Sequence, residues 1–397
     1  MNIVSFCHFL QGPAATQYLG DMGASVTKIE PRQGAYERHW AGADRAKAGG
    51  ISAFFLGSNR NARSLAIDLK HPRAREVIYR LIDNSHAVVE NFRPGTLERL
   101  GFGYEAVKAR KADIIYASAS GFGATGPYAD RPGQDLLIQA MSGLIAATGG
   151  RGGPAAAGCA AADQHGGALL ALGILGAYSK WQRTGEGTLV EANLLAAGVD
   201  LQTESLVTYY ASGRGKEVFD RDDHLATWFH EAPYGVYEIA DGHMVLSLNA
   251  TDKLADALQS EALRAFVGRN AYDERDAYAQ VLAEVLAPLK FSEIAAKLDA
   301  HKLWYARVED FDDLRRNPQL LHNEMFREVP VNDATVTLLN HPIRYDGKVP
   351  EFKGFALQPG EHTRDVLGDN GLSADEIEAL LKDGVVFAPA AEMVPAE

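Results

Sequence analysis

The sequence predicts an α/β protein built on a largely parallel sheet, with a smaller α+β unit inserted late in the chain. Short apolar runs alternate with helical patterns through the first half, which predicts the sheet. Gly and Pro punctuate many of the joins, as turns between such elements require. The insertion follows from a change of rhythm beyond the polar stretch Gly213 to Asp223, where a hairpin pattern begins.

The elements can be justified in order. Met1 to Phe6 is apolar and reads as the first strand, Gly12-Pro13 marks a turn and helix start, and Ala14 to Met22 is helical, closed by Gly23. Val26 to Glu30 is a strand stopped by Pro31. Leu65 to Asp68 is strand-like, a helix runs from His71-Pro72 to Ile82, and Ala87 to Glu90 is a strand. Thr96 to Leu100 and Tyr104 to Arg110 are short helices, and Ile114 to Ser118 is a strand ended by Gly121. The Gly/Ala-rich stretch Gly149 to Gly158 reads as a loop. A long helix follows Asp163 to about Arg183, Leu189 to Ala192 is a last strand, and Ala196 to Ala211 is helical. Gly235 to Ile239 and His243 to Ser247 flank Asp241-Gly242 as a hairpin. Helices then cover Asp252 to Leu258, Ala277 to Leu286 and Phe291 to Leu298. Ser373 with Glu376 three residues on forms a capping box for a final helix.

This reading divides the chain into a large domain over 1–212, a linker over 213–228, a small α+β domain over 229–317, and a return over 318–397 that completes the large domain. Its 397 residues suit two domains or one with an insertion, and 46% hydrophobic with 23% charged residues supports a sizeable core. The net charge of −13 argues against general nucleic-acid binding, though a local basic cluster can still hold a polyanion. Cys7 and Cys159 are the two cysteines, too few for a disulfide framework and outside any metal-type spacing. No secretory leader and no apolar run of membrane-spanning length is recognised, so the expected setting is soluble and cytoplasmic, with no membrane partner. GxxxxGK[ST], GxGxxG after a strand, HExxH and GxSxG are missing, and the twelve His are scattered; nucleotide triphosphatase, zinc-enzyme and hydrolase-triad readings lose ground.

One stretch stands out: Gly158-Cys159-Ala160-Ala161-Ala162-Asp163-Gln164-His165-Gly166-Gly167, ahead of the apolar run Ala168 to Ala177. Asp163 has two readings. It is a helix cap, since a carboxylate oxygen accepts from the free N–H groups of a first turn. Or it is a nucleophile, with small flanks that leave room for a large substrate. Local sequence does not choose between them.

The wider pattern does bear on the choice. Ordered blocks run through the chain: His8-Phe9-Leu10-Gln11-Gly12-Pro13, Leu19-Gly20-Asp21-Met22-Gly23-Ala24, Asn59-Arg60-Asn61, Asp68-Leu69-Lys70, Glu90-Asn91-Phe92-Arg93-Pro94-Gly95, Ser118-Ala119-Ser120-Gly121-Phe122-Gly123 and Asp135-Leu136-Leu137. The series resembles the family III CoA-transferases, typified by formyl-CoA and carnitine CoA-transferases (the CaiB/BaiF group). The resemblance covers nearly the whole chain and is weakest in the small domain. It implies a Rossmann-like, doubly wound large domain formed by both chain ends, and a homodimer of interlocked ring-shaped subunits. It implies transfer of CoA from an acyl-CoA donor to a small carboxylic acid, with acyl-CoA as substrate, no permanently bound cofactor and no metal.

The resemblance also implies roles. Asp163 matches the single Asp that forms the covalent intermediates. Gln11 matches a position beside the reacting centre, where an amide can donate to a carbonyl oxygen; its other reading is a polar turn residue before Gly12-Pro13. His8 matches another lining position. Lys70, Asn91, Phe92, Arg93, Arg99 and Ser120 lie in blocks that supply CoA contacts. Arg32 and Arg38 follow the second strand, where a loop would reach the ligand; the position expected to be basic is Pro31, with Arg32 one place on. Two alternatives stand beside transfer. Acyl-CoA racemases of the same fold place a His directly before the Asp of the Asp135 block, where this chain has Gln134, and a second acid near Asn249; His165 is the one nearby residue in their favour. A non-catalytic CoA-binding protein would keep Lys70, Asn91 and Arg99 but have no use for Asp163.

Overall fold

A computed structural model describes residues 1–42 and 45–390. The last positions of the expected return, 391–397, lie outside the described residues. The chain divides into two compact units. The first comprises Met1–Ile138, Ala160–Gly198 and the chain from Pro318 on; the second comprises Gln139–Cys159 and Val199–Asn317.

The first unit is an α/β fold. Its parallel strands are β1 (Asn2–Phe6), β2 (Ser25–Glu30), β3 (Ala62–Ile67), β4 (Ala87–Glu90), β5 (Ile115–Ser120) and β6 (Thr188–Asn193). They lie in the order β3-β2-β1-β4-β5-β6, all parallel. A short closing strand, Val386–Phe387, adds antiparallel to the outer edge of β3. This is the doubly wound order, in which the sequence of strands reverses between the first and fourth.

Side-chain alternation explains why helices cover both faces. Val4, Phe6, Val88 and Tyr116 point into one core, Ile3, Cys7, Ala87, Val89 and Ala117 into the other. On the first face lies α2 (Ala74–Asp83), which buries Ala74, Val77, Ile78, Leu81 and Ile82 at helical spacing. Removing one such branched side chain, as in Ile78→Ala, costs about 2–5 kcal/mol. On the second face lie α1 (Gln11–Asp21) and α4 (Ala161–Thr184), after the short helix α3 (Asp135–Met141). A β-carbon on Gly167 would stand 2.9 Å from both the Ala14 side chain and the Gln11 carbonyl. The glycines at the start of α4 therefore serve close helix packing. The sequence reading gave that space to substrate; the structure gives it to α1.

The second unit holds a three-stranded antiparallel sheet of β7 (Gly235–Ile239), β8 (Gly242–Leu246) and β9 (Tyr305–Arg307), with β8 in the centre. Helices Thr251–Leu258, Arg275–Leu286 and Phe291–Ala300 pack Leu254, Leu282 and Leu298 against Tyr237, Met244 and Leu246. The hairpin turns one residue earlier than expected: Ile239 pairs with Gly242, so Ala240 and Asp241 form the loop.

Three further expectations need correction. The second unit is larger than 229–317, because 139–159 and 199–228 join it. Arg221, fully buried, donates to the Ala147 carbonyl at 3.0 Å, and Trp228 Nε1 donates to Ser205 Oγ at 2.9 Å. Such links across tens of residues leave no local signature. The helix expected over Ala196 to Ala211 is two helices, Leu194–Asp200 and Thr203–Ser212, broken at Leu201 and Gln202. Finally, the return over 318–397, expected only to complete the large domain, carries a hairpin of its own, Phe326–Val331 paired with Ala334–Leu339.

Candidate active site

In a doubly wound sheet, ligands bind beyond the carboxyl ends of the strands where the order reverses. Here that point lies between β1 and β4. The loops leaving these two strands are fastened to each other. Asn91 Oδ1 accepts from the His8 N–H at 2.9 Å, and Asn91 Nδ2 donates to the His8 carbonyl at 2.7 Å. The Phe92 ring packs at 4.9 Å from the His8 ring. Three sequence-predicted residues thus meet at the switch point, His8 from one loop and Asn91 and Phe92 from the other, and Gln11 opens α1 directly after the first loop. Gly12 is required for the approach, since a β-carbon there would stand 2.5 Å from Cys7 Sγ and 3.2 Å from Asn91 Cγ.

The polar groups at this edge are incompletely satisfied. Gln11 is buried, and among the described residues neither its Nε2 nor His8 Nδ1 has a hydrogen-bond partner. Burial holds the His8 imidazole below its usual pKa, with Glu37 opposing. A buried amide N–H without a protein acceptor is costly, and its position here lets it donate to a bound ligand. A β-carbon on Gly166 would lie 2.9 Å from that same Nε2. Gly166 is three residues after Asp163 on α4, so the two positions lie on neighbouring parts of one helix face.

Asp163 is not the cap of its helix. The cap position is Ala160, and Asp163 stands in the first turn. The capping is done by a remote carboxylate: Asp135 Oδ1, from the first residue of α3, accepts from the Ala162 N–H at 2.8 Å and the Asp163 N–H at 3.1 Å. Asp163 is thereby left with a carboxylate that accepts no hydrogen bond among the described residues. Burial, and then the nearby Asp135 charge, push its pKa up to about 7. It remains partly exposed. A raised carboxyl without a cation partner is more basic than a paired one, which suits nucleophilic work.

The basic residues divide into two groups. Arg38 is locked in the fold. It pairs with buried Glu30 at 2.6 and 2.7 Å, and donates to the Ala356 and Leu357 carbonyls. Its guanidinium also lies 4.1 Å from the Phe55 ring centre. Arg38 is therefore not available to a ligand, against expectation, because the carboxylate of Glu30 behind it claims the fork. Lys70, Arg93, Arg99 and Arg32 are exposed on the same edge of the sheet and pair with no carboxylate among the described residues. Arg99 donates to Thr96 Oγ1 at 3.2 Å, and Arg32 lies over the Phe387 ring at 5.0 Å. Arg32 and Lys70 follow β2 and β3, so they stand toward the outer strands rather than at the switch point itself. Ser120 ends β5, where its hydroxyl accepts from the Gly123 N–H at 2.9 Å and shapes the turn. No group of three or more His, Cys, Asp or Glu is placed to hold a metal among the described residues.

Two positions that bear on racemisation are also clear. Gln134 is exposed. Asn249 is buried and exchanges both amide functions with the Trp304 backbone, each at 2.8 Å. Sequence reasoning missed two residues of consequence. The capping role of Asp135 lies 27 positions from the helix it caps. Glu90, at the end of β4, is a buried carboxyl that the sequence shows only as the last residue of a strand.

A doubly wound sheet with exposed basic residues along the edge where ligands bind defines an α/β class suited to large anionic ligands. The comparisons make it specific. The family model "CoA-transferase family III" matches residues 1–363, and the chain belongs to that family of transferases. An acyl-CoA transferase of Fusarium pseudograminearum is 30% identical over 97% of this chain and 87% of its own length. The succinyl-CoA:glutarate CoA-transferase of Mus musculus is 30% identical over 97% and 89%. Among solved structures, a CaiB/BaiF family protein from Brucella suis superposes with a TM-score of 0.81 at 27% identity, covering 93% of this chain and 98% of that one.

Proposed function

We propose that this protein moves CoA from an acyl-CoA donor to a carboxylic acid acceptor, with Asp163 carrying both covalent intermediates. The observation that bears most weight is the unpaired, basic carboxylate of Asp163, freed from capping by Asp135.

The chemistry follows from that group. An Asp163 oxygen attacks the thioester carbonyl; the carbon–sulfur bond breaks and a mixed anhydride and CoA thiolate result. The thiolate attacks the aspartyl carbonyl, releasing the donor acid and leaving an aspartyl-CoA thioester. The acceptor carboxylate attacks that thioester and expels the thiolate. The thiolate then takes the acceptor acyl group and regenerates Asp163. Each step exchanges one acyl bond for another and consumes no external reagent. The unfilled Gln11 Nε2 is the group proposed to donate to the developing oxyanions. Arg93, Arg99, Lys70 and Arg32 are proposed for the CoA phosphates, Arg by its planar fork. His8, Asn91, Phe92 and Ser120 line the approach.

The mouse relative is named for succinyl-CoA and glutarate. Short dicarboxylic acids are therefore the first acceptors and donors to test. The free thiols Cys7 and Cys159 support a reducing, cytoplasmic setting. We also propose the interlocked homodimer that the family implies, to be checked by light scattering. Gln134 and the backbone-bound Asn249 both speak against racemisation, since neither can relay a proton.

The test is trapping. With an acyl-CoA, hydroxylamine should convert Asp163 to its hydroxamate, and borohydride should reduce the aspartyl thioester. Peptide mass spectrometry locates the adduct. Solvent deuterium entering the α-carbon without acyl exchange would instead mean a racemase. Tight CoA binding with neither outcome would mean a binding protein.

A further inference from the structure

Glu90 is a buried carboxyl, 8% exposed, that the reaction above does not use. It ends β4, at the point where the strand order reverses. One carboxyl oxygen accepts from the Phe92 N–H at 2.9 Å, and the other meets the Ser118 hydroxyl. Ser118 is its register partner on β5. Between the two anchored positions stands Asn91, whose amide clamps both backbone groups of His8. The carboxyl therefore sets where the Asn91-Phe92 corner leaves the sheet, and through Asn91 it sets where His8 lies. Both donors to it are matched to an anion: an amide N–H and a hydroxyl, each strengthened by charge.

The surroundings oppose that anion. Burial pushes the Glu90 pKa up to about 7, and Glu98 on the helix Thr96–Leu100 adds to the rise, against the Ser118 and Phe92 hydrogen bonds. The other titratable groups that feel it are Cys7 at the end of β1 and Tyr116 on β5. Among the described residues no cation acts on it. A buried carboxyl held by two neutral donors grips them more tightly as the anion than as the acid, so its hold on the loop depends on pH.

We propose that Glu90 is a positioning residue for acyl-CoA: its anion fastens the Asn91-Phe92 corner across the switch point, and neutralising it loosens that corner and weakens CoA binding. The inference rests on the CoA reading of the site. It concerns binding, whereas the trapping of Asp163 concerns chemistry, so the two fail separately.

The experiment measures equilibrium binding of CoA by calorimetry in an Asp163→Asn background, which removes the Asp163 ionisation. The pH range runs from about 6 to about 8, spanning the midpoint. Without further change, affinity should fall about fivefold as pH drops through 7, the difference between a charge-assisted and a neutral hydrogen bond. Adding Glu90→Gln should give the weaker affinity at every pH and abolish this dependence; titration of the CoA phosphates is common to all variants. Adding Ser118→Ala removes one donor to the anion and should move the midpoint to higher pH. In otherwise native protein, Glu90→Gln should raise KM for acyl-CoA with kcat little changed, and Asp163 should still be trapped at saturating donor. Unaltered affinity in Glu90→Gln, or an unmoved midpoint in Ser118→Ala, overturns the proposal. Should Glu90→Gln fold poorly, the Ser118→Ala midpoint decides alone.

Discussion

Two aspartates in the first unit, Asp21 buried and Asp163 half-buried, have opposite fates. Asp21, the last residue of α1, is surrounded by donors. Arg60 reaches it at 2.6, 2.9 and 3.1 Å, Asn61 at 2.9 Å, and His341 Nδ1 stands 3.3 Å away. Burial would raise its pKa, but His341 and Arg60 outweigh that and hold it below the usual range. Asp163 has the burial without the donors, and its pKa goes up. The lesson is that residue type and burial do not assign a role. The partners do. Asp21 ties the return segment to α1, with Arg60 also donating to the Leu339 carbonyl at 2.7 Å. Asp163 is left without a cation partner among the described residues.

The contrast predicts opposite effects from the same substitution. Asp163→Asn should lower turnover by at least about a thousandfold, as loss of a covalent nucleophile does. It should also stabilise the fold. A carboxyl raised from 3.8 in the unfolded chain to about 7 in the fold favours folding when protonated, so stability falls as pH rises between those values. The Asn variant escapes that loss. Urea titrations at pH 8 should therefore find it more stable by on the order of 1–2 kcal/mol, allowing for the partial exposure of Asp163, with the gain gone near pH 4. Equal stability at both pH values would remove the claim that Asp163 is an unpaired anion. Native activity should rise with pH through about 7, the direction opposite to stability.

Asp21→Asn should do the reverse. It breaks a buried ion pair and strands Arg60, at a cost of about 3–5 kcal/mol. Turnover per folded molecule should not change. A fall in activity at constant fold would break the division between structural and reactive carboxylates.

Smaller effects sharpen the same division among the cations. Arg99→Ala or Lys70→Ala should raise KM for acyl-CoA a few fold, more at low salt, because these side chains are exposed and unpaired. Arg38→Ala should instead lower the melting temperature, because it strands Glu30. The smallest effect tests the source of the Asp163 shift. Asp135→Asn keeps a capping oxygen and removes the charge, so stability should move by less than about 0.5 kcal/mol. The acid limb of the pH–activity profile should move to lower pH, since a repelling charge has gone.

The sequence by itself determined what depends on neighbours a few residues apart. The alternation of strands and helices in the first unit, the capping box at Ser373 and the helices Thr251–Leu258, Arg275–Leu286 and Phe291–Ala300 appear where their periodicity put them. The ordered blocks placed the family, and they pointed to Asp163 as one carboxylate worth watching. What only the tertiary structure decided is which groups are used up. Arg38 looks as free as Arg32 until Glu30 is folded behind it. Asp163 looks like a cap until Asp135 arrives from 27 positions away, and Asn91 becomes a clamp only when β1 and β4 bring it to His8, 83 positions distant. Propensity and hydrophobic period act along the chain, but desolvation and hydrogen-bond partners are set by which strands lie side by side. The reactive state of a carboxylate is a property of the second kind.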